Sequence, residues 1–184
     1  MRTYTKSEVK VEKYRIHNKI HSGQIFVYPT DTIYGIGCNA LDDEAVKKVR
    51  DVKKSENRPY GIIAPSKEWI RNNCEVPAHA EEWLNRLPGP YTLYLKLKNP
   101  KAVSRHVNPR DENKIIGVRM PDHWIQKMIA ELNVPIITPP ANVIGKNFMT
   151  SLENLDSDLK KASHFAIYEG EKKGKPSKVI KLHE

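Results

Sequence analysis

Apolar residues along the 184-residue chain recur in short blocks whose spacing alternates between a strand-like and a helix-like period. Ile25 to Tyr28 is an apolar run between Gly23 and Pro29, the pattern of a buried strand feeding a loop from Thr30 to Asn39. Asp42 can cap a following helix in which Ala45, Val46, Val49 and Val52 form one stripe, leaving Lys47, Lys48, Arg50, Lys53 and Lys54 toward solvent. Ile62 to Ala64 reads as a second buried strand. Ala80, Trp83, Leu84 and Leu87 fall at helical spacing after Pro77, and Pro88-Gly89-Pro90 stops that helix. Tyr91, Leu93, Leu95 and Leu97 alternate with Thr92, Tyr94 and Lys96, which predicts a half-buried strand. Ile115 to Met120 predicts another strand, Trp124, Ile125, Met128, Ile129 and Leu132 a helix, and Val134 to Thr138 a further strand. Thr150 or Ser151 can cap a helix carrying Leu152, Leu155 and Leu159, before strands near Phe165 to Tyr168 and Lys178 to Leu182.

Because helical and strand blocks interleave, the expected class is α/β: one domain over residues 1–184, with a twisted mixed sheet, flanking helices and antiparallel pairs inside the sheet. A hydrophobic fraction of 39% over this length suits one core. Asn99 to Lys114 carries no periodicity and two prolines, which predicts a surface excursion near the sheet and the one segment long enough to act as a lid.

Composition narrows the function. Lys and Arg total 31 against 22 Asp and Glu, a net charge of +9, so polyanions such as RNA, or nucleotide phosphates, become candidate partners. Cys38 and Cys74 cannot build a disulfide framework, and neither a C-x-x-C pair nor an H-E-x-x-H run is present to hold zinc. No window approaches about 18 uninterrupted apolar residues, and Met1 to Lys13 is too polar for a secretory signal. A cytoplasmic protein without a membrane association is the expectation. Gly170 to Pro176 fails as a phosphate-binding P-loop, being one residue short and ending in Pro where Ser or Thr is needed. Trp83 and Trp124 sit in helical stripes and read as core, and the scattered lysines from Lys160 to Lys181 read as a solvated face.

One segment concentrates chemistry. Tyr28-Pro29-Thr30-Asp31-Thr32-Ile33-Tyr34-Gly35-Ile36-Gly37 places hydroxyls, a carboxylate and two glycines in a loop after a strand. Such a loop can orient polar ligand atoms while glycine lets the backbone approach, or it can be a tight connection held by its own Asp and Thr hydrogen bonds. The segment resembles the P-T-D-T-x-Y-G-x-G signature of the YrdC-like threonylcarbamoyl-AMP synthases. Further likenesses follow in order: Pro88 to Leu93 is similar to P-G-P-x-T-L, Gly117 to Pro121 to G-V-R-x-P, Ala141, Asn142 and Gly145 to part of S-A-N-x-S-G, and Gly174 to Ser177 to part of G-x-P-S-T. The resemblance runs from about Ile20 to Leu182.

That resemblance implies a concave basic pocket in which ATP, carried with Mg2+, L-threonine and bicarbonate become threonylcarbamoyl-AMP and pyrophosphate for tRNA modification. No resident metal site is implied. A downstream threonylcarbamoyl transferase complex would receive the product, and tRNA or double-stranded RNA are further partners compatible with the charge. It also implies site residues. Thr30, Thr32, Tyr34, Arg119 and Ser177 would bind the amino acid, Arg119 through a bidentate fork to its carboxylate. Lys53, Lys54 and Arg58 fall on the family's K-x-R-P-x-x-K-P run and would serve phosphate binding and catalysis, while Asn142 and Thr150 would join them at the nucleotide. Departures stand beside these matches. Either Ser55 or Lys54 occupies the arginine position of the basic run, Pro140 and Ile144 replace two hydroxyl residues, Lys178 replaces a threonine, and an apolar residue near Ile63 replaces a histidine. A YrdC-like protein that binds RNA or a nucleotide without making the adenylate is the alternative those departures allow.

Overall fold

In the computed structural model, which describes residues 1–184, the strands divide between two sheets rather than forming one. The first contains β1 (Arg2–Tyr4), β2 (Phe26–Tyr28), β3 (Gly35–Gly37) and β8 (Phe165–Ile167), in the order β1-β8-β2-β3. The second contains β4 (Gly61–Ile63), β5 (Tyr91–Lys96), β6 (Ile115–Arg119), β7 (Ile136–Ile137) and β9 (Lys178–Lys181), in the order β7-β4-β6-β5-β9. Both are mixed: β2 runs antiparallel to β3 and parallel to β8, while β6 runs parallel to β4 and antiparallel to β5.

The sheets are stitched together by a strand that the sequence reading leaves inside a loop. β3 occupies the middle of the Thr30 to Asn39 segment, and around it Ile36 donates to the Pro139 carbonyl at 3.0 Å, Ile137 to Cys38 at 3.1 Å and Ala141 to Tyr34 at 3.0 Å. Glycine is required there by contact. A Cβ on Gly37 would sit 2.7 Å from the Tyr28 ring and 2.8 Å from the Ile137 carbonyl oxygen.

Helix α3 (Asp43–Lys53) follows, and Asp42 caps it by accepting from the Ala45 amide at 3.0 Å. Ala45, Val46 and Val49 are buried as their spacing predicts, but Arg50 and Lys53 are buried as well and not turned to solvent. The reason is local. Loop carbonyls that no strand or helix pairs must find donors, and these two cations supply them. Arg50 donates to the carbonyls of Glu56 at 2.8 Å, Arg58 at 2.7 Å, His106 at 2.6 Å and Val107 at 3.0 Å, with its guanidinium 4.1 Å from the Tyr60 ring centroid.

Arg50 therefore ties the Asn99 to Lys114 segment to the body. That segment is not a bare excursion: Val103, Val107, Asn108 and Asn113 are buried, and Asn113 donates to the Ser104 carbonyl at 2.8 Å while accepting from the Asn108 amide at 2.8 Å. A lid built from it would have to break this asparagine framework.

Other differences have equally local causes. The N-terminal polar stretch holds β1 and two helices, α1 (Lys6–Val11) and α2 (Lys13–His21), α1 opening with a Thr5/Glu8 capping box. Ser66 caps a further short helix, α4 (Lys67–Asn73), and α5 (Ala78–Asn85) and α6 (Ile125–Leu132) fall where their stripes predict. The expected helix after Ser151 is split: a 3-10 turn at Leu152–Asn154 is followed by α7 (Ser157–Ala162), capped by Asp156. No helix is long and apolar enough to cross a membrane.

Replacing Arg50 by Ala should lower the unfolding free energy by about 3 kcal/mol, since a charged donor is lost from several carbonyls that stay buried. Urea unfolding measures this directly; a loss under about 0.5 kcal/mol would show that water takes over the guanidinium's place.

Candidate active site

Two polar clefts adjoin where the sheets meet. The smaller, of about 190 Å3, is lined by Thr30, Thr32, Tyr34, Thr92, Arg119 and Ser177 among others. The larger, of about 480 Å3, is lined by Lys53, Arg58, Tyr60, Asn142, Ile144 and Phe148 among others. Gly61, Thr138 and Pro140 line both, so the clefts share a wall.

The loop after β2 forms the floor of the smaller cleft through its own hydrogen bonds. The Thr30 hydroxyl accepts from the Thr32 amide at 3.1 Å and the Ile33 amide at 3.2 Å and donates to the Ile33 carbonyl at 2.7 Å. Thr30 thus shapes the turn. Thr32 accepts from Arg119 Nη1 at 3.1 Å, and Arg119 Nη2 is ion-paired with Asp31. The second Asp31 oxygen accepts from the Asp122 amide at 2.9 Å. Arg119 is 4% exposed at the end of β6, and of its guanidinium nitrogens Nε is buried without a partner. Each terminal nitrogen of the fork expected for a substrate carboxylate thus already has one partner within the protein, which leaves a second hydrogen on each and the Nε hydrogen unpaired.

Tyr34 fastens the chain that returns across this cleft. Its hydroxyl donates to the Gly170 carbonyl at 2.7 Å and accepts from the Glu169 amide at 3.0 Å, while burial raises its pKa to about 12. Further along, Gly174 lies so close to the Thr32 carbonyl that a Cβ would collide with it, and Ser177 shares a hydrogen bond of 2.5 Å with Thr92.

In the larger cleft Lys53 is 1% exposed and its three donors meet three oxygens: the carbonyls of Pro140 at 2.6 Å and Asn142 at 2.5 Å, and Asn142 Oδ1 at 2.9 Å. Asn142 Nδ2 in turn donates to the Lys146 carbonyl at 2.9 Å. Lys53 and Asn142 hold the 140–146 loop in shape. Burial pushes the Lys53 ammonium down to about 7, and the three acceptors oppose this by binding its protonated form.

The remaining sequence-predicted residues separate. Arg58 is exposed at the larger cleft. Lys54 is not brought there: it ends α3 in the left-handed conformation, φ 56°, beside Lys48, Asp51 and Lys161 on another surface. Thr150 lines neither cleft and accepts from Asn154 at 2.7 Å. Ser55, at the departure in the basic run, is buried and hydrogen-bonded to the Tyr60 hydroxyl at 2.5 Å. Sequence reading did not single out Asp31, Arg50, Thr92 or Phe148. Asp31 stood in the loop as a visible carboxylate, but its partner lies 88 residues away.

This arrangement can orient a small zwitterion beside a phosphorylated ligand, with cations at both ends and no side chain poised as a nucleophile. Both cysteines are buried, and burial raises both thiols, Cys74 to about 12. No group of three or more His, Cys, Asp or Glu side chains is disposed to hold a metal ion.

Two mixed sheets with adjoining polar clefts at their junction define a YrdC-like α/β domain. A family profile described as Sua5/YciO/YrdC, telomere recombination, matches residues 18–184, and the chain belongs to that family. A Methanocaldococcus jannaschii protein provisionally named a threonylcarbamoyl-AMP synthase is 35% identical over 92% of this chain and 79% of its own length. The threonylcarbamoyl-AMP synthase of Pyrococcus abyssi is 33% identical over 95% of this chain and 53% of its own. The crystal structure of P. abyssi Sua5 complexed with L-threonine superposes with a TM-score of 0.85 at 32% identity, covering 98% of this chain and 54% of that one. The chain thus spans about half the length of the P. abyssi relative.

The role of Lys53 is open to a pH measurement. Between about 7, its pKa in the fold, and the ordinary 10.5, the unfolded chain binds more protons, so stability should rise with pH. The stability of the wild type relative to Lys53→Met should therefore increase from pH 7 towards pH 10.5 in urea titrations. A flat difference would mean that the three acceptors hold the proton throughout.

Proposed function

We propose that the two clefts together make threonylcarbamoyl-AMP and pyrophosphate from ATP, L-threonine and bicarbonate, for N6-threonylcarbamoyladenosine formation on tRNA. The observation that carries this reading is the wall shared at Gly61, Thr138 and Pro140, which sets a small polar cleft against a larger one. Family membership and the names of the relatives supply the substrate class.

In this reaction the threonine amine captures bicarbonate as a carbamate, with loss of water. A carbamate oxygen then forms a bond to the α-phosphorus of ATP, and the bond to the pyrophosphate oxygen breaks. The protein's part is to place the two reactants and stabilise charge. In our assignment Arg119 and Thr32 receive the amino acid, with Ser177 and Thr92 as further hydroxyl partners. Thr30 and Tyr34 fix the floor and the returning chain. Arg58 meets the triphosphate, Lys53 and Asn142 keep the wall in shape, and Phe148, 36% exposed, offers a face for the adenine. Lys54 and Thr150 have no part in it. Mg2+ is assigned to the ATP phosphates, where it neutralises charge, since the clefts offer no carboxylate cluster to hold it.

The departures from the family pattern fit this assignment. Ser55 closes the loop onto Tyr60, and Pro140 supplies a carbonyl to Lys53, so both positions carry structure without contributing a cation or hydroxyl to the ligand.

Incubation with ATP, Mg2+, bicarbonate and single amino acids, read by mass spectrometry, should yield threonylcarbamoyl-AMP with threonine. Failure beside an active relative would reject the synthase reading in favour of nucleotide or RNA binding. Within an active enzyme, Arg119→Ala should lower kcat/KM for threonine at least about thirtyfold, from loss of roughly 2 kcal/mol or more at a buried charge. Arg58→Ala should instead raise KM for ATP about tenfold with the threonine KM little changed. Equal effects of both variants on both substrates would contradict the division between the clefts.

A further inference from the structure

Away from both clefts, α1, the start of α2 and α6 enclose a groove of about 450 Å3. Its floor is apolar, made by Val9, Met128 and the partly buried Trp124. Its rim is basic: Lys6, Lys10, Lys13 and Lys127 stand around it, and its one acid, Glu131, is held by Lys13 at 3.2 Å. Four ammonium groups against one carboxylate leave the groove strongly positive. Lys6 Nζ lies 5.8 Å from the centroid of the Trp124 ring.

A solvated helix face, or a surface that tracks nucleic-acid phosphates, needs lysines but no apolar floor, and one that stacks bases needs open aromatic platforms. This groove is lined by no Arg, Asn, Gln, Ser or Thr, and its single aromatic is fixed by its own hydrogen bond, Trp124 Nε1 donating to Glu169 at 3.0 Å. No strand lines it, so an extended peptide would find no edge to pair with. We infer that the groove docks an acidic amphipathic helix from a partner protein, apolar anchors seated on Val9, Met128 and Trp124 and carboxylates meeting the lysine rim. Charge complementarity selects the partner, and the helical walls set the helix-in-groove mode.

One hydrogen bond links the groove to the chain that Tyr34 holds. Glu169, which accepts from Trp124 and lies 2.7 Å from His123 Nε2, belongs to the returning chain that Tyr34 fastens. The Trp124 indole N–H is therefore a reporter at the back wall of the groove.

The test titrates 15N-labelled full chain with a helical peptide bearing leucines on one face and glutamates elsewhere, followed by NMR. Shifts should map to residues 6–13 and 124–131 and include the Trp124 indole. A Lys10→Glu/Lys127→Glu variant, checked for an unchanged unfolding midpoint, should bind at least about tenfold more weakly. Two results would overturn the inference: a peptide that leaves those residues unshifted or binds the variant equally well, or a single-stranded RNA oligonucleotide that shifts them and displaces the peptide.

Discussion

The buried ion pair between Arg119 and Asp31 is the constraint on which the site depends. Arg119 closes β6 in one sheet, and Asp31 lies in the loop that leaves β2 in the other. A guanidinium and a carboxylate this far from water are costly unless each is compensated, so the loop is held where the two can meet. Thr32 is carried along as a second acceptor, and the cleft floor follows. Removing either partner would leave the other charge without its counter-ion, with only a neutral partner, Thr32 or the Asp122 amide, which makes this pair a condition of the local fold. Arg119 lines the smaller cleft with donor hydrogens beyond those that Asp31 and Thr32 take.

Helix α3 applies the same chemistry to architecture. Arg50 and Lys53 lie three residues apart on one face, and each gathers carbonyls from loops that have no ladder of their own. Arg50 joins the 54–60 loop to the Asn99 to Lys114 segment, and Lys53 joins the helix end to the 140–146 loop. One member of the basic run, Lys53, is thereby structural, and Arg58 is left as the exposed cation of the larger cleft. The charge excess of +9 is in part internal scaffolding and not wholly a surface for polyanions.

This explains what the sequence could and could not reveal. Elements with a strong local period, such as the stripe of α6 and the alternation of β5, were legible, as was the ordered series of motifs that carries the family resemblance. β3 was hidden because two of its three residues are glycines, which carry no hydropathy signal and are present because Tyr28 and the Ile137 carbonyl leave no room for a side chain. Arg50 and Lys53 were misread because a charged residue beside an apolar stripe normally faces water, and only the tertiary arrangement shows the carbonyls they serve. The Thr5/Glu8 capping box was available in the sequence, but the polar residues around it concealed α1. At the site, Thr32 and Arg119 were legible as candidates, whereas the Asp31 partnership and the separation of Lys54 from Arg58 required the fold.

In the proposed function, an amino acid carbamate in the smaller cleft would attack the α-phosphate of a nucleotide in the larger, across their shared wall. The most direct measurement is exchange of radiolabelled pyrophosphate into ATP, with threonine and bicarbonate supplied singly and together. Label should enter ATP only when both are present, because only then can the bond to pyrophosphate break and re-form. Exchange with ATP alone, or release of phosphate in place of pyrophosphate, would contradict the account.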